Sequence, residues 1–398
     1  MVIANEIETV FGSVVDLRHR LHRIPELAFE ERETAAMIRA ELDRLGIPYV
    51  AGVSGAPTAT IAWIGDPSKP CIALRADIDA LPITEQTGAD YASMFPGRMH
   101  ACGHDGHTAT LAGVAAILKK HEASLPVCVK LIWQPAEEGG GGAEVLCRAG
   151  VLDGSAGAGL GPKVAAIFGL HGWPGLPVGI VSTRPGPLLA STDTFTATFI
   201  GKGCHGAFPH LGRDPIVTAC EAVMCLQGFV SREVDPTDSA VVTVGRIHGG
   251  TATNIIPDRV TIEGTLRTLN RESRDAIRSA VQRRCAGVAA ANDCELSFML
   301  EHGYPSTVNN PEMAAYVEKT VKAALGNERF LPAARPVMGG EDFAYYLEQV
   351  PGCFFMVGTI PAGQTSYPSL HNEKYDFTDA ALLTGMRVFL ELVMNFRG

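Results

Sequence analysis

DTFTATFIG (193–201) alternates apolar and polar side chains with a period of two, the pattern of a strand that buries one face and exposes the other. Forward from it the sequence predicts a helix over about 214–233, strands SAVVTVGRI (239–247) and RVTIEGTLR (259–267), a helix over about 272–291, and strand CELSFMLE (294–301). That order, β-α-β-β-α-β, is the ferredoxin-like arrangement. Backward from it the texture differs. Short apolar runs TATIAWI (58–64), CIALRA (71–76), VCVKLIW (127–133), VAAIFGL (164–170) and GIVST (179–183) are separated by turn residues, and a helical pattern at 104–121 puts Leu111, Val114, Ala115 and Leu118 on one face. Strands alternating with helices predict a layered α/β domain with a sheet covered on both faces. Two amphipathic helices, 5–23 and 30–45, precede it, the second stopped by Gly46 with Pro48 beyond. Pro305 and Asn309–Asn310 mark a return, followed by a helical pattern over 310–325. The economical expectation is an α/β domain formed by 1–187 and 302–398, interrupted by an inserted βαββαβ domain at 188–301.

The 398 residues suffice for two domains, each with its own core. Apolar residues make up 46% and charged residues 19%, which excludes a disordered or collagen-like chain. With 43 Asp+Glu against 33 Lys+Arg the formal net charge is −10, and no basic stripe offsets it, so nucleic acid and anionic membrane surfaces are not expected partners. The longest apolar runs, such as LAGVAAIL (111–118), fall far short of the ~20 residues of a membrane span. MVIANEIETVF at the N-terminus carries two Glu and no basic residue before Arg18, unlike a secretory signal. Ten Cys at irregular positions, without a CxxC, read as reduced thiols. A cytoplasmic protein is the expectation.

Polar residues follow the carboxyl ends of several predicted strands: Asp77 and Asp79 after CIALRA, Glu137 and Glu138 after VCVKLIW, His171 after VAAIFGL. That edge of an α/β sheet is where ligands bind. Each alone reads equally as a solvated strand end; together they point to metal or acid–base chemistry. MHACGHDGHT (99–108) is the densest cluster, with His100, Cys102, His104, Asp105 and His107. Cys102 and His104, one residue apart, suit zinc or another borderline transition metal. A zinc finger is excluded because no second half-site exists. In the adjacent pair Glu137-Glu138, one carboxylate can ligate while its neighbour acts as general base on water; acidic complementation of a helix N-terminus is a compatible reading. The glycines at 139–142 lack the company of a phosphate loop.

LRADIDALP (74–82), MHACGHDGHT (99–108), QPAEEGGGGA (134–143), FGLHGWP (168–174), GKGCHGAFPH (201–210), GGTATNIIPD (249–258), GTLRT (264–268), MGGEDFAYY (338–346) and LHNEKYDF (370–377), with HRIPELAFEE (22–31), resemble the M20 metallopeptidase family. Within it they are similar to the aminoacylase, hippurate hydrolase and auxin-conjugate hydrolase branch, in order over nearly the whole chain. The resemblance implies a metal-dependent exopeptidase-like catalytic domain with an inserted lid and dimerisation domain. It implies two divalent metal ions (Zn, Mn, Ni or Co) held by Cys102, His104, Glu138, His171 and His371, with Glu137 as general base and Asp79 orienting a ligand. Asp77 stands where more distant members place a metal-binding His. His205 would steady the oxyanion in the site of a partner subunit, and Asn254 and Arg267 would contact the substrate carboxylate. The implied partners are a small-molecule N-acyl amino acid substrate and a second copy of the chain in a homodimer.

Rival readings are a metallo-dipeptidase or aminopeptidase acting on unblocked peptides, and a metal-binding homologue without turnover. Cys204 beside His205 invites a nucleophile pair, but neighbours on a strand point to opposite faces. His19, His22, His121, His248 and His302 read as surface or satisfied histidines, and His100, His107 and His210 as flanking the site. Cys71, Cys128, Cys147, Cys220, Cys225, Cys285, Cys294 and Cys353 read as core residues.

Overall fold

The apolar runs of the first half are short, rich in β-branched residues and bounded by turns, which favours strands over helices. In the computed structural model, which describes residues 2–154 and 159–397, they join a seven-stranded mixed sheet. Its spatial order is Tyr49–Val53, Ala56–Ile64, Cys128–Gln134, Cys71–Asp77, Val164–Pro177, Gly352–Ile360, Val181–Ser182. Cys71–Asp77 runs parallel to both of its neighbours, and Gly352–Ile360 runs parallel to Val164–Pro177. Every residue of Cys71–Asp77, Cys128–Gln134 and Gly352–Ile360 is buried, as interior parallel strands require. Leu17 and Leu21 of helix Val2–His22, Leu111 and Val114 of His104–Lys120, Val321 of Pro311–Leu325 and Phe389 of Ala380–Asn395 share one core with the sheet.

Several elements extend the expectation, Tyr49–Val53 and helix Gly142–Arg148 among them. Val164–Pro177 runs on past His171, because Gly352–Ile360 continues to pair with it as far as Ile360↔Pro177. Neither that C-terminal strand nor the helix Ala380–Asn395 is named in the sequence reading. Among the described residues no helix is long and apolar enough to cross a membrane, and the cysteines are free thiols.

Arg18 ties the first helix to distant chain. Fully buried, it donates from Nη1 to Asp105 Oδ2 (3.1 Å) and Asp376 Oδ1 (2.9 Å), and from Nε to Asp379 Oδ1 (2.6 Å). His22 is satisfied, not superficial: its ring nitrogens meet Asp105 Oδ2 at 2.9 Å and Glu85 Oε1 at 3.2 Å. Burial works against its charge, yet Asp105 and Glu85 hold its pKa up to about 10. Arg18→Ala takes from buried Asp105 one of its two counter-charges, leaving His22, and takes the guanidinium from Asp376 and Asp379; it is expected to cost about 3–5 kcal/mol. Urea unfolding of metal-saturated protein measures it, and a loss below about 1 kcal/mol would put Arg18 among ordinary exposed ion pairs.

Contacts group Met1–Leu188, Val308–Arg335 and Asp342–Gly398 as one unit and Leu189–Thr307 with Pro336–Glu341 as another. The second unit holds an antiparallel sheet in the order Ala240–Gly249, Arg259–Thr268, Asp193–Ile200, Glu295–His302. Along the chain these strands and the helices Pro215–Glu233 and Arg271–Ala291 follow one another as strand, helix, strand, strand, helix, strand. The alternation of 193–200 is visible as Phe195, Ala197 and Phe199 buried with Leu226, Phe229, Ile262 and Val281. Asp214 caps the first helix through the Ile216 and Val217 amides with Pro215 at its first turn, and Asn270 caps the second through the Ser273 amide. Two cysteines depart from the core reading: Cys220 is exposed and Cys225 half-buried. The inward face of their helix is taken by Ala219, Ala222, Leu226 and Phe229.

Candidate active site

The candidate side chains of the first unit gather beyond the carboxyl ends of its parallel strands. Asp77 ends Cys71–Asp77 and Asp79 follows. Gly103 sits between Cys102 and the first residue of helix His104–Lys120 with φ +85°, and a Cβ there would meet Phe377 Cδ2 at 2.9 Å, so only glycine fits both the turn and the packing. His171 lies within Val164–Pro177. His371 comes from the segment before the last helix; its amide donates to the Ala101 carbonyl at 2.9 Å, bringing it beside Cys102. Its φ of +61° is a left-handed conformation rare for a residue with a Cβ.

Ligand atoms of Cys102, His104 and His171 lie within 4.8 Å of one another, as do those of Cys102, Glu138 and His371, and those of His104, Glu137 and Glu138. Cys102 Sγ is 3.4 Å from His171 Nε2. The His171 ring donates from Nδ1 to the Gly172 carbonyl at 2.7 Å, which leaves Nε2 facing the thiol. His104 is oriented the same way, Nδ1 meeting the Asp79 carbonyl at 2.9 Å and Asp79 Oδ1 at 3.2 Å. His371 Nε2 is 3.1 Å from Glu138 Oε1.

The turn carrying the paired carboxylates is held from both sides. Ala136 has φ +57°, a left-handed conformation that costs a non-glycine residue about 1–2 kcal/mol. Its amide donates to Glu31 Oε1 at 2.9 Å, and the Glu138 amide donates to Asp79 Oδ2 at 2.8 Å. The Asp342 amide reaches Glu137 Oε1 at 3.4 Å.

Behind the cluster lies a buried polar network that joins Asp77 and His107 to Arg75, Gln134 and Asp342. Arg75 donates to Asp77 Oδ2 (2.6 Å), Gln134 Oε1 (2.8 Å) and Asp342 Oδ1 (2.9 Å). His107 donates from Nδ1 to Asp77 Oδ1 at 2.6 Å and accepts the Gly172 amide at Nε2, 2.8 Å. Both His107 nitrogens are thereby spent, and both Asp77 oxygens are engaged by neighbours. Asp77 and His107 are marked in the sequence by their place near strand end and ligand cluster, and Arg75 by its position in mid-strand, since buried carboxylates need a counter-charge; Gln134 and Asp342 carry no such mark.

The electrostatics fit a divalent cation. Burial lifts the Cys102 thiol well above its usual range, and the Glu138 and Glu137 carboxylates add to that. Burial also opposes charge on His104, yet Asp77, Asp79 and Glu138 hold its pKa at about 10. His171 is pushed down to about 3 by burial, with His107 adding repulsion. His104 Nε2 is buried without a hydrogen-bond partner. A cation among these donors favours the thiolate, keeps the imidazoles neutral and satisfies the orphaned nitrogen.

In the second unit, exposed His205 accepts the Ala207 amide at Nδ1, 3.0 Å, so its neutral ring carries the proton on Nε2 and can donate outward. Asn254 is adjacent: its carbonyl accepts the Gly206 amide at 2.7 Å. Arg267 lies apart from them on Arg259–Thr268, half-buried, with Nη1 on the Leu266 carbonyl at 3.0 Å. Cys204 Sγ turns to the Phe208 carbonyl at 3.5 Å, away from any role as nucleophile to His205.

A buried thiol, imidazoles and two adjacent carboxylates at the carboxyl ends of parallel strands are the donor set of a metal-dependent amide hydrolase. The chain belongs to the peptidase family M20/M25/M40, whose description matches residues 73–395. It is 39% identical over 390 residues to IAA-amino acid hydrolase ILR1-like 4 of Arabidopsis thaliana, covering 97% of this chain and 86% of that protein. It is 42% identical over 355 residues to N-acetyl-L-cysteine deacetylase of Bacillus subtilis, covering 89% and 82%. Among solved structures, a dinuclear metal binding peptidase of the M20 family from Bacillus subtilis aligns with a TM-score of 0.82 at 36% identity, covering 97% of this chain and 98% of that one.

Proposed function

We propose that this protein hydrolyses the amide bond between an acyl group and an amino acid, using two divalent metal ions. The observation that carries the reading is the gathering of Cys102, His104, Glu138, His171 and His371 donor atoms in overlapping groups, with a second carboxylate, Glu137, beside Glu138 and His104. Cys102, His104, Glu138, His171 and His371 would hold the metals. When bound, these supply Lewis-acid activation of water and of the scissile carbonyl. Glu137 then takes the proton from the attacking water and returns it to the leaving nitrogen. Asp79 keeps Nε2 of His104 aimed inward. His205 donates from Nε2 to the developing oxyanion, and Asn254 and Arg267 hold the amino-acid carboxylate.

Residues 1–187 with 302–398 form the catalytic domain in this reading, and 188–301 a ferredoxin-like lid through which two copies dimerise. Supporting a homodimer, Ile216, Val217 and Met224 (71% exposed) with Cys220 line one side of helix Pro215–Glu233, and Ala240–Gly249 is an edge strand of the sheet. The N-acyl preference is favoured over action on free N-termini by the identities of the relatives above.

The test is an assay of chelator-stripped protein, reconstituted with Mn²⁺, Zn²⁺, Co²⁺ or Ni²⁺, on N-acetyl, N-benzoyl and indoleacetyl amino acids beside unblocked dipeptides. Activity should vanish on stripping and return with metal on at least one acyl class. Turnover by metal-free protein would overturn the mechanism. Cleavage of dipeptides alone would make the protein a peptidase.

A further inference from the structure

Glu31 belongs to the N-terminal segment HRIPELAFEE, far in sequence from the site. It occupies the N-cap position of helix Arg32–Leu45, yet its side chain makes no capping bond there. Fully buried, the carboxylate is spent instead on three other groups. Oε1 accepts the Phe29 amide and the Ala136 amide, each at 2.9 Å, and Oε2 accepts the Thr58 hydroxyl at 2.7 Å. Giving up a cap to bury a charge is unfavourable unless the charge has other work. That work is at Ala136, a left-handed alanine directly before the paired carboxylates. The same segment closes on the turn a second time. A Cβ at Gly140 would meet Ala136 Cβ at 2.5 Å and Phe29 Cε2 at 3.0 Å, so the Phe29 ring packs where only glycine leaves room.

We propose that Glu31 is a positioning residue for Glu137 and Glu138, holding the Ala136 amide so that the left-handed turn presents both carboxylates. Asp79 does the matching work two peptides further, on the Glu138 amide. The inference rests on the assignment of Glu137 as base and Glu138 as ligand, and it adds a residue that touches neither metal nor substrate.

The test compares Glu31→Ala, Glu31→Gln and Glu31→Ala/Ala136→Gly by metal affinity of stripped protein, with a chromophoric chelator as competitor and Zn²⁺ as probe, and by steady-state kinetics. Glu31→Ala should weaken Zn²⁺ binding about 10-fold and lower kcat about 10–100-fold, with KM nearly unchanged. Glu31→Gln should retain most of both, because its Oε1 accepts both amides and its Nε2 can donate to Thr58. Glycine enters the left-handed region without a Cβ penalty, so the double variant should recover much of the Zn²⁺ affinity and kcat lost in Glu31→Ala. No recovery in a folded double variant, or Glu31→Gln as damaging as Glu31→Ala, would overturn the proposal. If Glu31→Ala does not fold, Glu31→Asp takes its place: one methylene short of the Ala136 amide, it should show a loss that Ala136→Gly reverses, and absence of that reversal overturns the proposal. The Zn²⁺ comparison needs no substrate. A wild-type protein inactive on N-acyl amino acids would therefore refute the function while leaving Glu31 to be decided by affinity.

Discussion

Glu137→Ala should lower kcat at least about 10³-fold, the upper range for loss of a general base that also serves as acid, while leaving metal content close to that of the wild type. The expectation follows from the division of labour between adjacent carboxylates. Glu138 Oε1 faces His371 Nε2 at 3.1 Å and shares a donor cluster with Cys102, whereas Glu137 lies beside His104 and Glu138 and accepts the Asp342 amide at 3.4 Å. Removing Glu137 takes away the proposed general base and none of the proposed ligands. Elemental analysis and a steady-state assay on the same preparation decide it. Loss of metal in parallel with activity would make Glu137 a ligand. Glu137→Gln is the companion: it preserves shape and a hydrogen-bond acceptor but cannot take a proton, so it should be as inactive as Ala.

The second large effect is expected at His205. Its Nδ1 is committed to the Ala207 amide, which fixes a tautomer with Nε2–H free and leaves the ring ready to donate without rearrangement. His205→Ala should reduce kcat by about 10²–10³, the scale of one lost oxyanion donor. Its exposure and its place in the second unit make a role toward a partner's site testable by mixing. A His205→Ala chain combined with a Glu137→Ala chain would regain part of the activity in heterodimers, because one of the two sites then has both groups intact. No regain in a verified heterodimer would sink the arrangement across subunits. A stable monomer with full activity would do the same.

Much of the architecture is legible in the sequence because hydrophobic period is a local property. The alternation of 193–201 and the compact apolar runs at 71–76 and 127–133 appear as strands within a residue of their expected bounds. Glu137 and Glu138 are legible because paired carboxylates stand just beyond a strand end, and Cys102 and His104 because ligand-type residues crowd the ten residues of MHACGHDGHT at the start of a helix. His371 is not, since a lone histidine in a polar loop carries no periodic or compositional mark. It reaches the cluster through a backbone bond to Ala101 and a left-handed residue conformation, both products of the closed fold.

The buried supports are legible least of all. Arg75 and Asp77 in a strand, His107 in a helix and Glu31 at a helix start each read as ordinary when taken alone. Their meaning depends on burial, because a charge removed from water must find a partner and few partners are within reach. Local residue pattern alone therefore determined the kinds of element, their order and the donor types at the sheet's edge. Only the tertiary structure decided which nitrogen of each histidine faces inward, which carboxylates are already engaged, and which distant side chains hold the turn of Glu137 and Glu138. Those are distances and desolvation, and neither exists until the chain has closed.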